Sequence, residues 1–137
     1  MASIRKEILI AARPEEVWDA IRDVGAIHTR LAKGFVTDTR LEGDSRLVTF
    51  SNGVVVRELI VDIDDGARRL AYAVVEWKAR HHHASFQVLA DGEGSRVVWM
   101  TDVLPDELRP LVDGLMEQGT AAMKQTLESQ GRVISRV

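Results

Sequence analysis

The chain contains no cysteine, which excludes a disulfide framework, a thiolate metal site and a thiol nucleophile. Proline is scarce at three residues, and no proline-, glycine- or serine-rich stretch marks a linker. No run approaches the ~20 apolar residues of a membrane span. Aromatic residues make up only 5% and basic ones are dispersed, against a stacking platform for single-stranded nucleic acid. Net charge is −3 and the isoelectric point is near 5.8, leaving no electrostatic footprint for nucleic acid or acidic lipid. Met1 to Glu7 is charged early and lacks the apolar run of a signal peptide, so a cytoplasmic location is expected.

What is present fits an ordinary globular chain. Of 137 residues, 45% are hydrophobic and 28% charged, enough to bury a core without staples. One domain over 1–137 is expected, with its core at about 3–130 and a C-terminal tail at 131–137. There is no internal repeat. The most strongly patterned stretch runs from Pro105 to Gln130. Leu108, Leu111, Val112, Leu115, Met116, Ala122, Met123 and Leu127 recur at three- and four-residue steps, so they share one helix face. Pro110 predicts that the regular helix begins there, after a looser turn at 105–109. Twenty residues of helix would reach ~30 Å, and the β-rich residues before it are the only partner for its stripe.

Residues 3–11 read as an opening strand. Pro14, Glu15 and Glu16 suit a helix N-terminus, and Val17, Trp18 and Ile21 give the helix over 14–23 an apolar face. Arg13 is a poor N-cap. A second short helix is expected at about 26–32. From Phe35 the texture turns to short β-branched runs at 35–42, 45–51, 54–63, 69–77, 80–90 and 95–104. Asn52-Gly53 reads as a two-residue hairpin turn, since both residues tolerate positive φ. Short turns between consecutive strands require antiparallel pairing. The order β-α-α-β-β-β-β-β-β-α is therefore α+β, with helices on one side of a curved antiparallel sheet.

Several segments in that order resemble a known superfamily. They are ARPEEVWDAI at 12–21, the Asp64-Asp65 turn before Arg68-Arg69-Leu70, SRVVWMTDVLPDEL at 95–108, and the long closing helix. Together they resemble the START-related (SRPBCC) helix-grip proteins, and within these the small bacterial polyketide cyclase/dehydrase and lipid-transport group. The resemblance implies a sheet gripping the last helix around a mostly apolar cavity. It does not imply one activity, because its members include carriers, receptors, cyclases, dehydratases and regulators.

Strand parity then nominates side chains for such a cavity. The resemblance turns the Trp99 row (Val97, Trp99, Thr101, Val103) toward the helix, where Trp99 is either plain core or a cavity wall. In the triplet His81-His82-His83, His82 shares a face with Ala84, Phe86 and Val88 and so points inward, leaving His81 and His83 outside. Two histidines at i and i+2 fall short of the ligands a metal needs, and no carboxylate adjoins them, so neither metal nor cofactor is expected. An inward His82 could orient a ligand or move protons, or be an ordinary core histidine. Tyr72 is favoured inward with Leu70, Val74 and Glu76. Simple alternation puts Arg57 inward, whereas a bulge would substitute Glu58. A cross-strand ion pair is the alternative for both. His28 falls near the expected cavity mouth, and Leu115, Met116, Gly119 and Met123 on the long helix are expected to line the cavity. Gly119 costs ~1 kcal/mol relative to alanine inside a helix, which close approach of the sheet would explain.

The leading expectation is binding of a small hydrophobic or aromatic ligand, polyketide-, lipid- or isoprenoid-like. A cyclase or dehydratase using inward His82 or Glu58 for proton transfer is the catalytic alternative. A third is an interaction protein or homodimer joined through an outer sheet face bearing Val75 and Trp77.

Overall fold

Residues 2–135 are described by the computed structural model, with side chains described to residue 130. Within them the β-branched runs form one seven-stranded antiparallel sheet in the order β1-β7-β6-β5-β4-β3-β2. The strands are β1 (Ala2–Ile10), β2 (Val36–Glu42), β3 (Ser45–Phe50), β4 (Val55–Asp64), β5 (Arg69–Val75), β6 (His81–Asp91) and β7 (Gly94–Leu104). From β2 to β7 the chain meanders, each strand beside the last. Only β1 departs from sequence order. It pairs with β7, and the chain then crosses to the far edge through helix α1 (Pro14–Arg22) and a π-helical turn at Ile27–Leu31. This is the α+β arrangement that the strand and turn spacing predicts.

Helix α1 has no side-chain N-cap at Arg13. The arginine instead donates to Glu16 Oε1 at 2.6 Å from Nη2. Trp18 is almost fully buried, and its indole Nε1 donates to Asp65 Oδ1 at 2.9 Å. Arg22 Nε reaches the same oxygen at 2.8 Å, and that guanidinium, followed by the indole bond, holds the Asp65 carboxyl below the usual carboxylate range. The helix is thereby tied to the β4–β5 turn.

The closing helix α2 spans Arg109–Ser135 and follows a 3₁₀ turn at Asp106–Leu108. The looser lead-in before Pro110 is therefore present, while the helix continues past the expected end at Gln130. Its inner stripe, with Val112, Met116, Met123 and Leu127 buried, packs on the concave face of the sheet. Edge strand β1 is fastened to it by Lys6, whose ammonium pairs with Asp113 and Glu117. Further along, Lys124 Nζ donates to the Leu9 carbonyl at 2.6 Å and the Ala11 amide donates to Glu128 at 2.9 Å. These contacts occupy backbone groups that an edge strand would otherwise leave open to another chain.

Two local departures from alternation decide what faces the helix. In β4 the register shifts between Ile60 and Asp62, a bulge at Val61, so Glu58 and Ile60 face inward while Arg57 faces out. β5 ends at Val75, and Glu76 takes a left-handed φ of 58°. That turn reverses the parity that puts Trp77 on the outer face. Trp77 packs instead with the inner cluster of Ile4, Val103, Val112 and Met116, and Glu76 is the exposed one. The interface nominated around Trp77 loses its principal contact, although Val75 does stand opposite Arg57 on the outer side.

Gly94 closes the β6–β7 hairpin directly under the end of β1. A Cβ there would lie 2.6 Å from the Ile10 carbonyl oxygen, a backbone atom that cannot swing aside. Gly94→Ala should therefore cost about 1–3 kcal/mol in chemical denaturation, whereas a stability change within 0.5 kcal/mol would show that the strand end moves freely.

Candidate functional site

Between the concave sheet face and α2 lies a cavity of about 250 Å³. Its inner wall is an aromatic row across three strands. Tyr72 on β5 stacks with Phe86 on β6 at 6.0 Å between centroids, and Phe86 stacks with Trp99 on β7 at 4.8 Å. Trp99 Nε1 donates to the Tyr72 hydroxyl at 3.2 Å. Opposite this row, Leu115, Met116, Gly119 and Met123 of α2 complete the wall. A Cβ on Gly119 would meet the Trp99 ring at 2.9 Å, so the missing side chain is what lets helix and indole approach. Around the lining, Asn52, Val54, Lys78 and Leu111 are the exposed members, and the cavity opens to solvent between them.

The polar end of the cavity is an ion pair. Arg46 on β3 is 2% exposed, the largest fully buried side chain in the described residues. Its Nε donates to Glu58 Oε1 at 2.8 Å and its Nη1 to the Val24 carbonyl at 3.3 Å. The guanidinium also lies over the Tyr72 ring at 5.3 Å. Burial, followed by the Glu58 charge, pushes the Tyr72 phenol above its ordinary value, so it remains a neutral phenol at physiological pH.

That pair arises from a turn. Phe50 and Val54 close a three-residue loop, with Phe50 N donating to Val54 O and Gly53 N to Phe50 O, both at 2.9 Å. Gly53 alone takes positive φ, at 87°, which is the glycine-bulge form of hairpin rather than a two-residue turn. The extra residue displaces the register by one and sets Glu58 directly across from Arg46. A two-residue reading would have set Leu47 opposite Glu58. Sequence reasoning missed Arg46 for this reason; the available signal was alternation of Arg46 with Val48 and Phe50, which shares the inner face.

His82 does face inward, beside Trp77 at 5.5 Å between ring centroids. Its Nδ1 is buried with no hydrogen-bond partner among the described residues. Burial, then the neighbouring His81, drives its pKa down to about 4. It is neutral near pH 7 and a weak proton acceptor there, because effective acid/base groups titrate near the working pH. His81 and His83 stand on the outer face with ring centroids 6.4 Å apart.

Other nominated residues fall elsewhere. Arg57 is outside, reaching Glu42 at 3.2 Å and Glu76 at 3.3 Å. This is the cross-strand ion pairing weighed for it, and the bulge at Val61 is the cause. His28 is not among the residues lining the cavity. The π-helical turn aims its Nδ1 at Thr39 Oγ1, 3.1 Å away on β2. Ile27 and Leu31 of the same turn line the cavity in its place.

An antiparallel sheet curled round a long C-terminal helix, with an apolar cavity between them, is the helix-grip architecture of START-related proteins. The chain belongs to the polyketide cyclase / dehydrase and lipid transport family, which it matches over residues 1–128. Among solved structures it is similar to XoxI from Bacillus cereus, at 21% identity over 93% of this chain and 96% of that one, with a TM-score of 0.81. It is also similar to a START superfamily protein from Mycobacterium smegmatis, at 11% identity over 96% and 98% of the two chains, with a TM-score of 0.74. A norcoclaurine synthase point mutant from Thalictrum flavum, in complex with a transition-state analogue, aligns at 18% identity over 94% and 95%, with a TM-score of 0.67. At these identities the likeness establishes the fold. No curated protein matches the chain.

The histidine makes a pH prediction. Below pH 6.5 the unfolded chain takes up a proton that folded His82 refuses until about pH 4. Stability from this group is therefore present above that window and lost as pH falls through it, by up to about 3 kcal/mol. His82→Gln should flatten the difference in unfolding free energy between pH 7 and pH 4.5 relative to the unsubstituted protein. Parallel pH profiles would show that the ring titrates normally.

Proposed function

We propose that the protein binds a small, largely apolar molecule, with an aromatic, polyketide-like body, in the cavity between sheet and α2. The observation that carries this reading is the pairing of an apolar, solvent-accessible cavity with one buried polar pair at Arg46 and Glu58. Such a division is typical of ligand sites, where apolar walls supply affinity and a few fixed polar groups supply orientation. Burying ligand surface is worth ~25 cal/mol per Å² of apolar area before ordering costs. The stacked face of Phe86 and Trp99 suits a flat ring system better than a flexible chain, since aromatic pairs gain from offset stacking. Met116 and Met123 give the opposite wall adaptability. Lipid- and isoprenoid-like ligands fit the apolar walls but make less use of the stacked rings.

The cyclase or dehydratase alternative asks for a proton carrier inside the cavity. Its two candidates are committed otherwise. His82 is held neutral by burial, and the Glu58 carboxylate accepts from Arg46 at 2.8 Å. Binding is therefore the reading favoured over catalysis, with the polar pair as an anchor for the ligand.

A cavity-filling substitution tests the proposal. Leu115→Trp places an indole in the cavity from a half-buried helix position. Naphthalene at 100 times its dissociation constant should stabilise the unsubstituted protein by about 2.7 kcal/mol in thermal unfolding. The variant should fold and show no such shift. Equal stabilisation of both proteins would place the ligand outside the cavity and overturn the proposal.

A further inference from the structure

We infer that the Arg46–Glu58 pair is a specificity device that selects ligands whose buried end is an uncharged hydroxyl or enol, and rejects those ending in a carboxylate. The inference rests on the cavity being a ligand site and goes further by naming the chemistry recognised at its polar end.

Each partner of the pair uses only part of its hydrogen-bonding capacity. Arg46 donates from Nε to Glu58 and from Nη1 to Val24, and Glu58 accepts through Oε1. Nη2 of Arg46 and Oε2 of Glu58 have no hydrogen-bond partner among the described residues. Neither is among the fully buried side-chain polar atoms that lack a hydrogen-bond partner, so each keeps some accessible surface. Both residues line the cavity. The pair thus leaves one donor and one acceptor over in a lining made mostly of apolar side chains.

Charge decides what fits there. The guanidinium is already neutralised by its carboxylate, and the one other charged side chain of the lining, Lys78, is exposed at the mouth. A ligand carboxylate driven to the inner end would sit beside Glu58 with no unpaired cation to meet it, and like charges in a poorly solvated site repel strongly. A simple ketone would accept from Arg46 and leave Glu58 unmet. A phenolic or enolic hydroxyl accepts from Nη2 and donates to Oε2 with the same oxygen. Recognition of this kind is sharp, because a site built to hydrogen-bond a hydroxyl is left with unpaired buried groups when the analogue lacks it.

The experiment compares 2-naphthol, naphthalene and 2-naphthoate at pH 7.5 by calorimetry and quenching of Trp99-region fluorescence. The result expected is 2-naphthol binding about tenfold or more tighter than either of the others, the scale of one charge-assisted hydrogen bond. Glu58→Gln keeps the shape and removes the negative charge, and it should raise 2-naphthoate affinity about tenfold. Because removing one member of a buried pair can unfold a protein, the double variant Arg46→Met with Glu58→Leu provides the second measurement. It should fold and bind naphthalene and 2-naphthol within about twofold of each other, having no hydrogen bond to offer. Naphthalene binding without preference for 2-naphthol, or 2-naphthoate binding best to the unsubstituted protein, would overturn the inference while leaving the cavity a ligand site. Failure of all three compounds to bind would overturn the cavity reading itself.

Discussion

The buried ion pair between Arg46 and Glu58 is the constraint on which the interior depends. Two charges taken out of water are costly unless they are close and well hydrogen-bonded. Here they are directly cross-strand at 2.8 Å, with a backbone carbonyl and an aromatic face completing the guanidinium's surroundings. A one-residue slip of β3 on β4 would separate them and leave their side chains on opposite faces of the sheet. The pair therefore fixes register in the half of the sheet that α2 does not cover. It also keeps that part of the cavity lining polar.

The other half is held by contact with α2. Lys6 and Lys124 bind the helix to β1 along its length, and Gly119 lets the Trp99 ring approach to where a side chain would otherwise stand. The indole is then placed to stack on Phe86 and to donate to Tyr72, which in turn lies under Arg46. Helix, aromatic row and ion pair form one connected chain of contacts around the cavity. A ligand entering past Val54 and Leu111 would meet apolar walls first and the polar pair last.

Much of this was legible in the sequence, and what was not traces to single residues. Alternation turns Tyr72, His82 and Phe86 inward and the family resemblance turns Trp99 inward, as observed, because their strands run without interruption through those positions. Leu115, Met116, Gly119 and Met123, named from the spacing on α2, all line the cavity. Parity fails wherever one residue breaks the two-residue period. Val61 bulges and exchanges Arg57 for Glu58. Glu76 takes a left-handed turn and brings Trp77 inside. Gly53 adds a third loop residue and hides Arg46 from any register drawn on a two-residue Asn-Gly turn. His28 sits on a π-helical turn, whose wider winding aims it at β2 rather than at the cavity. Bulges and left-handed residues are local backbone choices with weak sequence signals, and each reverses the parity of the side chains on one side of it relative to those on the other.

Methionine methyl NMR measures occupancy of the cavity most directly. Met116 and Met123 line it, whereas Met100 sits on the outer sheet face opposite Arg5 and Ser85. Titration with 2-naphthol should shift the Met116 and Met123 methyl signals along one saturable curve and leave Met100 in place. Unmoved signals from Met116 and Met123, or a saturable shift confined to Met100, would contradict a ligand site between sheet and helix.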